Sequence, residues 1–303
     1  MLRTLKVLGV TAALFILWLL AVWPPPLWYR THWPRETAFM ARPQAAATSA
    51  KARARGRMYQ PVPLDSIAPV MRDAVMIGED SRFLTHHGID YLAMAQALGY
   101  SRQSFDWNNR RDRRELLAVL PNAWNRRDRL RGASTITQQL AKNLYLSPSR
   151  NPLRKVKEAV TAWRLEAALG KPRIMELYLN VVELGEDVWG VEAASQLYFK
   201  RSAMNLSREE AAALAGSLPF PLRSNPSLRP GRMRWRQNLI LRRMRGEEVE
   251  VPRPAEEDLP PVPPDSTMDT TAVRDSNVAP DTMSAEPPPS DSAPAVAPAD
   301  STP

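Results

Sequence analysis

Residues 132–143, GASTITQQLAKN, place polar side chains on a regular helical frame, and this block constrains the fold more than any other stretch. Ser134 is a good helix N-cap, because its hydroxyl can accept hydrogen bonds from first-turn amides. Ile136, Leu140 and Leu144 repeat every four residues, so one face should be buried. The side chains left to line a polar site are Thr137, Gln138, Lys142 and Asn143. The N-terminus of such a helix also favours an anion.

The net charge of +9 hides an uneven distribution along the chain. Residues 247–303 hold 13 acidic and 2 basic residues, a net of −11, so the rest of the chain carries +20. A strongly basic body attracts nucleic acid, an anionic membrane or an anionic substrate. Other features of the sequence must decide among these three.

The residue inventory excludes several classes of chemistry. The chain has no cysteine, which rules out disulfides, thiol catalysis and thiolate metal sites. Its three histidines, His32, His86 and His87, are too few and too unevenly spaced for a zinc site. There is no Gly-rich phosphate loop of either nucleotide-binding type.

The N-terminus favours a membrane. Arg3 and Lys6 precede residues 7–23, a run without charge that is just long enough to span a bilayer. Several aromatic residues cluster at its far end, as in an interfacial belt. A cleaved signal peptide is the alternative, but no small-residue cleavage site follows the run. We expect an uncleaved membrane anchor with a cytoplasmic N-terminus and the body on the other side of the membrane.

Composition divides the chain into four parts. Residues 1–30 are expected to form a cytoplasmic stub and transmembrane anchor, and residues 31–60 a tether without apolar periodicity. Residues 61–246 should form the folded domain. Residues 247–303 contain no aromatic residue and cannot bury enough apolar surface to offset chain entropy, so we expect a disordered tail.

Apolar spacing predicts that the domain is nearly all helical. One helix follows Asp65 and should end at Gly78, which places Glu79 just beyond it. Asn151 and Pro152 open another helix, and Ser207 with Glu210 forms a capping box before a third. The helix that Asn151 and Pro152 open should run to about residue 169. Further helices are predicted from Pro172 to Tyr178 and over residues 231–245, and no segment alternates as a long strand.

Four further blocks accompany residues 132–143 in a fixed order. They are EDSRFLTHHG at 79–88, RKVKE at 154–158, KPRIMELYLN at 171–180 and GVEAASQLYFK at 190–200. In spacing, order and residue type, the five blocks resemble the glycosyltransferase domain of peptidoglycan synthases, over roughly residues 60–245. The LPFP run at 218–221 is more similar to the monofunctional branch (biosynthetic peptidoglycan transglycosylases, glycosyltransferase family 51) than to the two-domain penicillin-binding proteins.

The resemblance implies a mainly α, lysozyme-like, two-lobed domain on one transmembrane helix. It implies a location in the bacterial inner membrane, with the N-terminus cytoplasmic and the catalytic domain periplasmic. It also implies polymerisation of lipid II into β-1,4-linked glycan, with inversion at the donor sugar and release of undecaprenyl pyrophosphate. Such an activity serves cell-wall biogenesis and cell shape, and moenomycin-type phosphoglycolipids inhibit it. The implied partners are lipid II, the growing lipid-linked glycan, the membrane and other wall-synthesis proteins such as penicillin-binding proteins, with no nucleic acid.

The resemblance also assigns residue roles. Glu79 matches the family's catalytic base, while Asp80, Phe83 and His86 match residues that support its loop. Lys142 and Arg150 correspond to cations on the donor pyrophosphate, and Arg154 and Lys155 add positive charge. The side chains expected to hydrogen-bond sugar and phosphate are Ser134, Thr135, Gln138, Gln139 and Asn143. Glu158, the second catalytic candidate, either orients Lys155 or contributes to holding Mg²⁺ or Mn²⁺.

Residues 101–131 exceed the matching part of the family and are expected to be an insertion. They hold nine arginines, four acids, Trp107 and Trp124. Three interpretations stay open: a solvated charged loop, a surface that touches anionic lipid headgroups, and a nucleic-acid contact.

Two other functions are compatible with parts of the sequence. The first is a glycan-cleaving enzyme, a lytic transglycosylase or muramidase, in which Glu79 acts as general acid. Such an enzyme has no need of the four cations at 142, 150, 154 and 155. The second is a membrane scaffold without activity, which the intact five blocks disfavour.

Overall fold

Helices make up most of this computed structural model, as the sequence predicts. The structure describes residues 2–42, 49–106, 108–119, 121, 134–146, 152–247 and 249. Their α-helices are α1 (Leu2–Leu20), α2 (Ala50–Arg55), α3 (Pro69–Glu79), α4 (Tyr91–Leu98), α5 (Arg110–Val119), α6 (Ile136–Tyr145), α7 (Pro152–Leu169), α8 (Lys171–Val181), α9 (Val191–Phe199), α10 (Arg208–Ser217) and α11 (Gly231–Met244). Short 3-10 helices cover Pro26–Arg30, Leu64–Ser66 and Ala203–Asn205. The prediction of a mainly α fold is confirmed.

Helices α3, α10 and α11 pack against one another. The packing face of α10 is made of small residues, and Ala211 to Ala215 are at most 4% exposed. Gly216 lets α11 come close, because a Cβ at this position would lie 2.9 Å from the carbonyl oxygen of Met233. The predicted capping box is present at the start of α10, where Ser207 and Glu210 bond each other's backbone.

Helices α6, α7 and α8 form the second set of packed helices. Ile136, Leu140 and Leu144 are 0–4% exposed, so the predicted buried face of α6 is confirmed. The prediction of a helix ending at residue 169 is confirmed by α7, whereas Asn151 lies outside the described residues. The two helix sets meet where α3 ends and α6 begins, and this junction holds the candidate site.

A small sheet lies beside these helices. Strand β1 (Met58–Tyr59) pairs in parallel with β3 (Val188–Trp189), and β2 (Glu183–Gly185) pairs antiparallel with β3. Trp189 is fully buried. Strands of two or three residues are too short for an alternating pattern, which is why the sequence did not reveal them.

The segment before β1 packs more tightly than the tether predicted for residues 31–60. Tyr29 and Met40 are 3% and 1% exposed within the main core, and β1 itself belongs to the sheet. Arg57 bonds the carbonyl oxygen of Met40 at 2.9 Å. The described part of residues 31–60 is therefore packed against the domain, and its scattered apolar residues insert singly and leave no periodic signal.

The chain ends differ in how much the structure describes. Arg3–Leu20 is the one span among the described residues that is long and apolar enough to cross a membrane, with a mean hydropathy of 1.7. The predicted disordered tail lies outside the described residues, except for Glu247 and Val249. Of the predicted insertion, α5 is described, and Trp107 and Trp124 are not.

Candidate active site

Glu79 is the last residue of α3, and its side chain is 12% exposed. Its Oε1 accepts a hydrogen bond from Arg236 Nη2 at 2.9 Å, and its Oε2 accepts one from Gln139 Nε2 at 3.0 Å. The prediction that Gly78 ends the helix is wrong. Gly78 lies inside α3, where a Cβ would meet Ile240 of α11 at 3.0 Å, so its role is close helix packing.

Burial raises the pKa of the Glu79 carboxyl above its usual range, because the charged form loses hydration. Arg236 is the strongest influence in the opposite direction, followed by the hydrogen bond from Gln139 and the charge of Lys142. The raised pKa is typical of a carboxyl that exchanges a proton during catalysis. Arg236 was not identified from the sequence, since no local pattern brings residue 236 to residue 79.

Gln139 is fixed in orientation by a second contact. The hydroxyl of Tyr178 on α8 donates to Gln139 Oε1 at 3.0 Å, which directs the amide nitrogen towards Glu79. Burial raises the pKa of Tyr178 well above its usual value, so the phenol stays a donor at neutral pH. Tyr178 thus fixes the orientation of the Gln139 amide, and the helical pattern of residues 171–180 does not indicate this contact.

The loop after Glu79 is held by Asp80, which is 7% exposed. Its carboxylate contacts His86 Nε2 at 2.9 Å and accepts the backbone N–H of Ile136 at 2.9 Å. Phe83 is 1% exposed, and the Lys171 ammonium lies 4.5 Å from its ring centre. These contacts join the loop to the N-terminus of α6 and to α8, which suits the supporting roles expected of Asp80, Phe83 and His86.

The N-cap of α6 is Thr135, and the prediction of Ser134 is wrong by one residue. Thr135 forms a capping box with Gln138, and its hydroxyl donates to the carbonyl oxygen of Gly88 at 2.6 Å. Thr135 and Gln138 are 2% and 3% exposed and cap the helix, and the sugar and phosphate contacts expected of them stay predictions. The Ser134 hydroxyl instead accepts a hydrogen bond from Lys155 at 3.1 Å.

Arg154, Lys155 and Glu158 form an ion-paired cluster at the start of α7. Arg154 Nη1 lies 2.9 Å from Glu158 Oε2, and Lys155 contacts the other carboxylate oxygen. Glu158 is buried, whereas the Lys155 side chain is 48% exposed. A buried carboxylate that fixes two cations leaves their outer sides available to an anionic ligand.

Lys142 lies on α6 between Glu79 and this cluster. It is three residues after Gln139 and therefore on the same side of the helix. Burial is the main cause that lowers the pKa of the Lys142 ammonium. The negative charges of Glu158 and Glu79 act to raise this pKa, and the positive charges of Lys155 and Arg154 act to lower it. The ring centre of Phe39 is 5.4 Å from its ammonium. Lys142 is thus close enough to Glu79 and to the ion-paired cluster for its charge to interact with both.

The other predicted contacts fall in two groups. Arg150 lies outside the described residues. Asn143 is described and is 6% exposed, and its carbonyl oxygen accepts the N–H of Phe39 at 3.2 Å. That bond ties the segment before β1 to the backbone of α6, and the substrate contact expected of the Asn143 side chain stays a prediction.

The described residues do not fit a protein-held metal ion. Both Glu158 oxygens are occupied by Arg154 and Lys155, whose positive charges oppose a cation at the same carboxylate. No group of three or more histidine, aspartate or glutamate side chains suitable for a metal occurs in the part of the chain that the structure describes. Between the two roles expected of Glu158, the geometry favours the orientation of Lys155 and Arg154.

Sequence comparisons identify the family to which the chain belongs. The family model described as Transglycosylase matches residues 46–112 and 100–245. A biosynthetic peptidoglycan transglycosylase of Thiobacillus denitrificans is 38% identical over 252 residues, covering 82% of this chain and 96% of that protein. Its namesake from Bordetella pertussis is 37% identical over 238 residues, covering 78% and 89%. One from Bdellovibrio bacteriovorus is 42% identical over 183 residues, covering 60% and 64%. The chain therefore belongs to the transglycosylase family.

Proposed function

We propose that this protein is a peptidoglycan glycosyltransferase that polymerises lipid II into β-1,4-linked glycan strands and releases undecaprenyl pyrophosphate. The observation that carries the proposal is the position of Lys142, whose charge acts on the buried carboxylate of Glu79 and which is itself influenced by Arg154, Lys155 and Glu158. Joining two sugars at a diphosphate leaving group needs a proton acceptor and positive charge within one site.

Glu79 acts as the general base in this proposal. Its carboxylate takes the proton from the 4-hydroxyl of the acceptor sugar as that oxygen attacks the donor's anomeric carbon. A raised pKa makes the carboxylate a stronger base, and such catalysis typically contributes about 10²–10⁴-fold. The contacts from Arg236 and Gln139 keep Glu79 ionised before the acceptor arrives, and the acceptor hydroxyl takes the place of one of these donors.

The cation cluster stabilises the departing pyrophosphate. Lys142, Arg154 and Lys155 carry positive charge where negative charge develops as the donor's glycosidic bond to phosphate breaks. Glu158 holds Arg154 and Lys155 in place by direct ion pairs. Arg150, which the family resemblance places on the same pyrophosphate, is part of this proposal as well.

The two halves of the site fit a single displacement. Attack by the acceptor and departure of the pyrophosphate on opposite faces of the donor sugar invert the anomeric carbon, and no covalent sugar–enzyme intermediate is needed. The proton moves to Glu79, and the bonding electrons leave with the pyrophosphate. Asp80, Phe83 and His86 position the base by holding its loop against α6 and α8.

Helix α1 serves as a single-pass anchor in this proposal. No residue of its apolar span Arg3–Leu20 is buried, which a water-soluble surface would not favour. Arg3 and Lys6 before the run favour a cytoplasmic N-terminus, which places the catalytic domain outside the inner membrane, where the lipid-linked substrate is polymerised.

A direct substrate test separates this function from its alternatives. The detergent-solubilised chain is incubated with labelled lipid II, with and without a moenomycin-type phosphoglycolipid, and in parallel with purified cell wall. Polymer that forms only without the inhibitor supports the proposal. Release of muropeptides from cell wall would support a glycan-cleaving enzyme, and no change in either substrate would support a scaffold.

A further inference from the structure

Both acidic side chains of helix α5 form hydrogen bonds with the segment that precedes the helix. Asp112 is 3% exposed and accepts hydrogen bonds from Arg102 Nη1 at 2.6 Å and from the N–H of Asp106 at 2.9 Å. Glu115 accepts two bonds of 2.6 Å, from the N–H and the hydroxyl of Ser101. These contacts fix the inner side of α5 to residues 101–106 and neutralise its negative charge.

The exposed residues of α5 are basic and partly apolar, and Arg111 lies on the flank of the helix, one turn before Glu115. Arg110, Arg111 and Arg114 are exposed and form no ion pair with an acid in the described part of the chain. Leu117 is 64% exposed and lies seven residues after Arg110 and three after Arg114, so it extends the same stripe. We call Arg110, Arg111, Arg114 and Leu117 the α5 outer face.

We propose that the α5 outer face binds the anionic phospholipid surface of the membrane that anchors α1. A cluster of cations beside an exposed leucine suits lipid headgroups, because the arginines pair with phosphates while the leucine enters the interface. This inference rests on the membrane anchoring in the proposed function, since α1 would keep α5 at high local concentration near the bilayer. It assigns a partner to a region that the transfer reaction does not use.

A chain of hydrogen bonds connects α5 to the loop beside Glu79. Arg102, which holds Asp112, accepts a bond on its carbonyl oxygen from Gln96 Nε2 at 2.8 Å. Arg82 in the loop donates to Gln96 Oε1 at 3.4 Å and to Asp90 at 2.7 Å. Lipid binding at the α5 outer face would therefore also position the loop beside the catalytic base relative to the bilayer.

The absence of cysteine in the sequence gives a clean test. Leu117→Cys in the full chain is labelled with an environment-sensitive fluorophore and reconstituted in nanodiscs of phosphatidylcholine alone or of phosphatidylcholine with phosphatidylglycerol. We expect a blue shift of emission only with phosphatidylglycerol, weakened by salt. The triple variant Arg110→Gln/Arg111→Gln/Arg114→Gln should lose the shift. The control triple Arg53→Gln/Arg223→Gln/Arg234→Gln, which removes equal charge from exposed positions, should keep it.

Three outcomes would overturn the inference: equal emission in both lipid mixtures, an unchanged shift in the α5 triple variant, or equal loss in the control triple. A labelled DNA duplex is added to the same samples, and binding that needs the α5 arginines without any lipid response would overturn it in favour of nucleic acid. Lipid II polymerisation in detergent is measured for all three proteins. Absence of polymer in every sample would contradict the proposed function while leaving the lipid result readable.

Discussion

Arg236 of α11 donates through one nitrogen to both Glu79 Oε1, at 2.9 Å, and the carbonyl oxygen of Gly78, at 3.1 Å. The guanidinium thus holds the C-terminal end of α3 and the proposed catalytic carboxylate together. The Arg236 side chain is 21% exposed, so its charge is only weakly screened by solvent. The packing of α3 on α11 thereby controls the protonation of the proposed base.

Replacing Arg236 should shift the pH dependence of the reaction. Arg236 is the strongest influence that lowers the pKa of Glu79, so Arg236→Gln should raise that pKa further. A higher pKa leaves more of the base protonated at neutral pH, so kcat/KM should fall and its acidic limb should move to higher pH. The measurement is kcat/KM for lipid II polymerisation over a pH series.

Arg234→Gln is the matched control, because Arg234 lies on α11 but is exposed. It should leave the acidic limb where the wild-type protein has it. An acidic limb that does not move in Arg236→Gln would show that Arg236 does not control Glu79.

The two capping boxes should respond differently to loss of their caps. Thr135→Ala and Ser207→Ala each remove an N-cap, which costs about 1 kcal/mol of unfolding free energy. Thr135→Ala also leaves the buried Gly88 carbonyl without its 2.6 Å hydrogen bond and loosens the loop near Glu79. Only Thr135→Ala should therefore lower kcat, and thermal unfolding combined with steady-state rates tests this. Equal rates in the two variants would disprove the link between Thr135 and the loop.

Gly190 should tolerate a methyl group less well than Gly170. The two glycines share nearly the same backbone, with φ of 83° and 73°, which costs alanine about 1–3 kcal/mol. At Gly190 a Cβ would also lie 2.5 Å from the carbonyl oxygen of Asn180, whereas Gly170 has open space. Gly190→Ala should lower the melting temperature more than Gly170→Ala. Equal losses would show that backbone strain alone decides both.

Replacing Glu158 should not change how strongly a divalent metal ion stimulates the reaction. Both Glu158 oxygens pair with cations, so Glu158→Gln should lower kcat by releasing Arg154 and Lys155, about 10-fold or more if charge-paired geometry is lost. Any stimulation by Mg²⁺ or Mn²⁺ over EDTA should be the same in the variant and the wild-type protein. A stimulation that disappears in Glu158→Gln would identify Glu158 as a metal ligand.

Local patterns predicted the helices well. The spacing of Ile136, Leu140 and Leu144 gave the buried face of α6, and Ser207 with Glu210 gave the start of α10. The exact residue at which a helix begins was harder to predict. Ser134 and Thr135 are both good N-caps, and only the contact with Gly88 favours Thr135. Gly78 resembled a helix end because close packing and chain reversal both favour glycine.

Contacts between residues far apart in the chain could not be predicted from the sequence. Residues 236 and 79 are 157 positions apart, and nothing in the basic helix α11 distinguishes Arg236 from its neighbours. Tyr178 was equally hidden, because a buried tyrosine usually serves packing and only the bond to Gln139 reveals its role. The packing of the segment before β1 could not be predicted for a related reason. Met40 and Tyr29 lie in the core, but they do not belong to a periodic apolar pattern.

The rate of lipid II polymerisation by Glu79→Gln tests the central claim most directly. Glu209→Gln serves as the control, since Glu209 is an exposed carboxylate in the first turn of α10. With folding verified by thermal unfolding, we predict that Glu79→Gln loses about 10²–10⁴-fold in rate while Glu209→Gln keeps the wild-type rate. A Glu79→Gln protein that polymerises lipid II at the wild-type rate would contradict the assignment of Glu79 as the base.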